Sequence, residues 1–200
     1  MIDIDTSETE RVRLVSRATL WKGFVHLEML TLEQHMPNGD VVNVRRELHD
    51  HGKAAAILLH DPVDDTVVFV RQFRPGAFAN GDQAFMLEVP AGLIDDDELA
   101  ADAITREAMK ETGFAIDEVR YLFDMYASPG ALTERVSLFV ASVSAENRTG
   151  AGGGLAEEGE DIEVVSIGLD DAYGMIRTGE INDAKTIVLL QWAMLNRASL

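Results

Sequence analysis

The chain has 200 residues, enough for one well-cored domain or a domain with a small extension. Its 46% hydrophobic content is ordinary for a globular protein, no apolar run is long enough to span a bilayer as a helix, and the lack of cysteine excludes disulfides and thiolate metal sites. The net charge of −18 argues against a nucleic-acid groove, which needs clustered Lys and Arg to displace counterions, but leaves room for a small anionic substrate held by a few local arginines and a metal ion.

Residues 1–10 read as an acidic tail without the basic-then-apolar pattern of a secretion signal. Together with the absence of cysteine this sets a cytoplasmic expectation. Residues 11–16 suit a short strand. Val25, Leu27 and Met29 alternate with His26 and Glu28, the period of a half-buried strand. Pro37-Asn38-Gly39-Asp40 contains the Asn-Gly pair of a tight hairpin, and residues 41–48 form the returning strand. Residues 1–50 therefore read as a β-hairpin arm preceding a main domain over 51–200.

In that domain the apolar runs 54–60 and 66–74 flank a turn cluster at Asp61-Pro62-Val63-Asp64-Asp65 and predict buried strands. Residues 75–83 read as a loop and 84–94 as a further apolar segment. A helix is expected over 98–112, with Asp95 to Asp97 capping its start and Gly113 ending it. Strands follow near 119–126 and 134–143, then a loop rich in Gly, Glu and Ala over 147–159 that reads as mobile. A strand at 162–167 precedes helices over 169–179 and 183–198, the last with a stripe of Ile187, Leu190, Met194 and Leu195. The order, β-rich then helix, strands and helices, predicts an α+β fold with a mixed sheet between helices.

The segment from Gly92 to Phe114 carries the chemistry. Glu107 and Glu111 are four apart and share a helix face, while Ile104 and Ala108 offer an apolar row for docking on a sheet. Two such carboxylates can share a hard cation of the kind that also binds phosphates. Taken alone the pair fits a solvated, salt-bridged face better than a metal site, since Lys110 lies beside it.

The longer spacing decides between these readings. Gly92, five residues, Glu98, seven residues, Arg106-Glu107, then Glu111, Gly113 and the apolar Phe114 resemble the Nudix box, with six of its seven fixed residues present and apolar residues at Ala108 and Phe114. The resemblance extends through residues 45–52, 71–81, 87–95, 126–135, 152–164 and 179–192 to the Nudix branch containing ADP-ribose pyrophosphatases and GDP-mannose hydrolases. It implies a Nudix α/β/α sandwich with a mixed β-sheet, preceded by the hairpin arm. The implied activity is Mg²⁺-dependent hydrolysis (Mn²⁺ the alternative ion) of a nucleoside diphosphate sugar, GDP-mannose or ADP-ribose, to a nucleoside monophosphate and a sugar phosphate. The implied partners are that small molecule and a second copy of the chain in a homodimer, with no nucleic acid and no membrane.

By the same resemblance, Glu107, Glu111, Glu160 and the Ala91 carbonyl are metal ligands, and Glu158 is the general base, with Glu157 its rival because the register in that loop is open. Such a base takes the proton of the attacking water while metal offsets charge on phosphate oxygens. Arg106 resembles the arginine that orients a box glutamate, and Glu98 supports the helix. Arg46 and Arg74, then Arg45 and Lys185, are candidates for the diphosphate, since cationic forks suit phosphate oxygens. Where the family commonly has an arginine, this chain has His51.

Lys110 departs from the box, which has glutamate there. An ammonium beside Glu107 repels cations, so the sequence predicts fewer bound Mg²⁺ ions or weaker affinity. Two other functions compete with nucleotide-sugar hydrolysis. One is a nucleotide-sugar-binding module whose catalysis has decayed. The other, hydrolysis of a nucleoside triphosphate or capped RNA, is weakened by the long front arm and the negative charge.

Overall fold

The computed structural model describes residues 10–155 and 159–200. The chain divides into two compact units. One is the front segment up to Gly52 together with Ser128–Glu134; the other is Lys53–Ala127 together with Arg135–Leu200.

The first unit is a three-stranded antiparallel sheet in the order β1-β2-β3, with β1 at Val12–Lys22, β2 at His26–His35 and β3 at Val41–Asp50. The strands are longer than the polar–apolar alternation alone marks out. Two irregularities in the β1–β2 register, between Leu14 and Ser16 and between Thr19 and Trp21, interrupt the period that a sequence pattern would follow. β1 is exposed along its length, Leu14 and Trp21 included. Residues 128–134 join this unit through bonds from His49 N–H to the Ala131 carbonyl (2.9 Å) and from Thr133 N–H to the His49 carbonyl (3.1 Å). No local pattern foretells that docking.

The second unit is built on a seven-stranded mixed sheet. β4 (Ala54–Asp61), β5 (Thr66–Phe73), β8 (Arg120–Tyr126), β9 (Arg135–Ser142) and β10 (Glu163–Gly168) run in the order β10-β5-β4-β9-β8, with β6 (Phe85–Glu88) added on β5 and β7 (Ala91–Leu93) on β4. Among the described strands of this sheet, β4 and β9 pair in parallel and the other pairs are antiparallel. β4 is an unbroken apolar run because both its faces are covered: Ala54, Ala56 and Leu58 enter one core, Ala55, Ile57 and Leu59 the other. On one face lies α2 (Ala100–Thr112), which buries Ile104 and Ala108 beside Phe139. On the opposite face lie α3 (Leu169–Thr178) and α4 (Ala184–Leu195). A short α1 (Pro75–Ala79) interrupts the expected 75–83 loop, with proline in its first turn, where its missing N–H costs no helical bond.

The sheet forks around Ile57. β4 pairs with β5 only over Leu59–Asp61 and with β7 over Ala54–Ala56, while the far half of β5 turns away to pair with β6. Val89 and Pro90 bridge the fork, and the Ile57 N–H is satisfied by the Pro90 carbonyl at 3.0 Å. The apolar segment 84–94 is therefore two strands on different partners, and α2 begins just beyond.

Two helix details differ from expectation. α2 follows Leu99, which offers no side-chain cap; Asp97 adopts a positive φ of 64°, and the helix start is held by Glu98, which accepts the Asp95 N–H (3.2 Å) and binds Arg106. In α4 the buried face is Thr186, Leu189, Leu190 and Ala193, whereas Leu195 is 85% exposed. The helix ends at Leu195, so the expected stripe loses its last turn. Asp183 caps α4 by accepting the Thr186 N–H at 3.0 Å. Among the described residues no helix is long and apolar enough to cross a membrane.

Because Leu190 is fully enclosed and Leu195 is not, Leu190→Ala should lower unfolding stability by about 2–5 kcal/mol and Leu195→Ala by less than about 0.5 kcal/mol, measured by urea denaturation.

Candidate active site

The acidic face of α2 meets β7 where the sheet forks. Gly92 on β7 lies so close to α2 that an added Cβ would collide with the Glu107 side chain, so a side chain here would push the helix off the sheet. Glu107 and Glu111 are consequently buried, at 6% and 3% exposure, instead of lying on a solvated face. Glu111 accepts the Ala91 N–H at 3.1 Å. Burial pushes the Glu111 carboxyl up to about 8, and the negative charges of Glu107 and Glu160 push the same way against the Ala91 hydrogen bond and the Arg74 charge.

Arg106 closes the outer side of the helix. It donates from Nε and Nη2 to the two oxygens of Glu98, at 3.0 and 2.8 Å, and from Nη1 to Glu107. Its charged form is stabilised first by the Glu98 bonds. Arg106 thus fixes one oxygen of Glu107 and ties it to the residue that starts the helix.

The far end of α2 is held by the Gly-rich segment. Gly113 ends the helix in the left-handed region (φ 76°), and a Cβ there would strike the Gly150 carbonyl. Gly153 and Gly154 donate their N–H groups to the carbonyls of Glu111 (2.8 Å) and Lys110 (3.2 Å). These bonds tie a non-helical segment to the end of the helix. They deliver Glu160, whose Oε2 accepts the Leu155 N–H at 2.8 Å and whose Oε1 lies 3.4 Å from the Lys110 ammonium. Lys110 also pairs with Glu107 Oε2 at 2.9 Å. Glu157 and Glu158 lie outside the described residues.

A buried charged network, unnoticed in the sequence, adjoins this cluster. Glu88, 1% exposed, accepts two bonds from Arg74, both 2.8 Å, and one from Lys185 at 2.5 Å. Lys185 also reaches Asp183 at 2.9 Å, and the Thr186 hydroxyl bonds Asp183 (2.7 Å) and accepts the Val89 N–H (3.0 Å). Burial alone would raise the Glu88 carboxyl, but the Arg74 hydrogen bonds and the Lys185 charge outweigh it and hold it at about 2. Arg74 and Lys185 are therefore drawn together on one carboxylate. Glu88 could have been suspected only from its place in an otherwise apolar strand, LEVPAG. Arg45 and Arg46 belong to the first unit, on β3, where Arg46 Nη1 donates to the Arg45 carbonyl at 2.9 Å. His51 of that unit lies 3.3 Å from Glu134.

The donor set suits a hard divalent cation. Glu107, Glu111 and Glu160 offer only oxygen, Ala91 adds a carbonyl, and the charges of Glu107 and Glu160 raise the proton affinity of Glu111, a repulsion that a cation would relieve. Among the described residues no three acidic or histidine side chains converge as a finished metal cage. The reason is visible in the pairings, since Lys110 holds Glu107 and Glu160 while Ala91 N–H holds Glu111.

The NUDIX domain model matches residues 50–190, and the chain belongs to the NUDIX family. It is a Nudix hydrolase, with the box glutamates buried at the fork of the sheet. Its relatives narrow the group. The chain is 42% identical over 185 residues to the GDP-mannose pyrophosphatase of Citrobacter koseri, covering 92% of this chain and 95% of that one. It is 40% identical over 189 residues to the GDP-mannose pyrophosphatase of Escherichia coli O157:H7, covering 94% and 97%. A crystal structure of an ADP compounds hydrolase shares the fold, with a TM-score of 0.70 at 19% identity over 94% of this chain and 96% of the other.

Two measurements probe the electrostatics. Glu88→Gln should cost about 3 kcal/mol of stability at pH 7, because it leaves Lys185 and the part-exposed Arg74 facing a neutral buried amide. Glu111 has its proton affinity raised in the metal-free folded state, so it contributes stability that is present below the ordinary carboxylate range and lost as pH rises through about 8. Thermal melts in chelator should therefore fall between pH 6 and pH 9 in the wild type, and by less in Glu111→Gln.

Proposed function

We propose that this chain is a Mg²⁺-dependent pyrophosphatase that hydrolyses a nucleoside diphosphate sugar, GDP-mannose ahead of ADP-ribose, to a nucleoside monophosphate and a sugar phosphate. The observation that carries the substrate is the 42% identity across nearly the whole length of a GDP-mannose pyrophosphatase. The buried carboxylates beside Ala91 support the metal requirement.

When bound by Glu107, Glu111, Glu160 and the Ala91 carbonyl, Mg²⁺ would neutralise charge on the phosphate oxygens. Glu158 takes the proton of a water whose oxygen adds to one phosphorus as the bond from that phosphorus to the bridging oxygen breaks. Arg106 holds Glu107 in the orientation needed for ligation. Arg74 and Lys185, gathered on Glu88, supply positive charge for the diphosphate, with Arg46 and Arg45 as further contacts. The protein works in the cytoplasm as a homodimer in which the front sheet contributes to the subunit contact; the exposed apolar side chains of β1 support that assignment.

A binding module without turnover is favoured by one observation, the Lys110 ammonium paired with Glu107 and Glu160. Incubation with Mg²⁺ and GDP-mannose, ADP-ribose or a nucleoside triphosphate separates the readings. Release of mannose 1-phosphate and GMP at the highest kcat/KM is the expected result, and Glu158→Gln should reduce kcat by about 10²–10⁴-fold. Nucleotide-sugar binding without product from any substrate would establish the module instead. Light scattering checks the dimer.

A further inference from the structure

We infer that Lys110 is a built-in counter-cation: its ammonium takes the place of one divalent ion between Glu107 and Glu160, and it fastens the late segment to α2 while no metal is bound. The inference rests on the reading of these glutamates as metal ligands and concerns what this chain has put among them.

The geometry is specific. Lys110 follows Glu107 by three residues, so both side chains leave the same face of α2. Its ammonium is 2.9 Å from Glu107 Oε2 and 3.4 Å from Glu160 Oε1, two carboxylates more than fifty residues apart in sequence. Both partners are fixed from behind. Glu107 Oε1 is held by Arg106, and Glu160 Oε2 by the Leu155 N–H. What each carboxylate has left faces the ammonium. The main chain of Lys110 binds the same segment, since its carbonyl accepts the Gly154 N–H. Side chain and backbone of one residue thus tie α2 to the stem that carries Glu160.

A divalent ion entering between Glu107 and Glu160 would have to displace this ammonium, and like-charge repulsion opposes both being present. Glu111, whose Oε2 is held instead by the Ala91 N–H, keeps its other oxygen for a separate ion. A box with glutamate at this position would add a ligand where this chain adds a charge of opposite sign. The expected outcome is one divalent ion fewer per chain and a loop segment that stays docked without metal.

The test uses Mn²⁺ alone, without nucleotide, counted by electron paramagnetic resonance and titration calorimetry on the full chain. Lys110→Glu should bind one more Mn²⁺ per chain than the wild type, and Lys110→Gln should bind Mn²⁺ about tenfold more tightly. In chelator, Lys110→Gln should melt below the wild type, because Glu107 and Glu160 repel once the ammonium is gone, and Mn²⁺ should raise its melting temperature by more than it raises that of the wild type. Lys110→Arg should keep the wild-type count. If Lys110→Glu does not fold, the Gln and Arg variants carry the comparison. Equal Mn²⁺ affinity in wild type and Lys110→Gln, or equal melting in chelator, overturns the inference. Hydrolysis of GDP-mannose is scored separately: altered Mn²⁺ binding in a protein that hydrolyses nothing leaves this inference standing and removes the proposed function.

Discussion

The site depends on two carboxylates kept out of water. Glu107 and Glu111 sit in the seam between a helix and a three-residue strand, and a buried carboxylate is stable only with partners. Arg106 and Lys110 take Glu107, and the Ala91 N–H takes Glu111. The seam is narrow because Gly92 has no side chain, and it exists because the sheet forks there, so that β7 rather than β5 borders the start of β4. Backbone topology, one missing Cβ and a set of ion pairs thus support one arrangement of charge.

Around this seam the protein uses opposite charges to hold separate elements. Glu88 joins the end of β5, through Arg74, to the start of α4, through Lys185 and Asp183. Thr186 completes the tie by bonding the Val89 N–H that leads into Pro90 and Ala91. The main-chain donor at Ala91 is thereby positioned from one side of the sheet by α4 and from the other by Glu111 on α2. Buried pairs of this kind add little net stability compared with apolar packing, but breaking one partner is costly, so they favour a single geometry over alternatives.

Much of this is legible in the amino-acid sequence. The continuous apolar run of β4 announced a buried strand, and the spacing from Gly92 to Phe114 announced the helix, its glycine stop and its acidic face, because helical period and glycine placement are local properties. The family, the hydrolase class and the mixed sheet were readable from the same segment and its neighbours. Less legible were the long front strands, whose irregular register breaks the alternation, and the last turn of α4, where Leu195 is apolar yet exposed. Apolar character is a property of the residue, but burial depends on whether another element arrives.

The same division holds in the site. That Glu107, Glu111 and Arg106 lie together on one helix is readable from spacing alone, since one helix turn places them together whatever surrounds them. The fork that buries them, the Glu88 partners drawn from two distant segments, and the docking of Gly153 and Gly154 on the end of α2 depend on which strand ends beside which helix. Lys110 marks the boundary. Its charge and its conflict with Glu107 are written in the chain, while its second partner, Glu160, is brought to it only by folding, because the long intervening segment carries no local rule for where it returns.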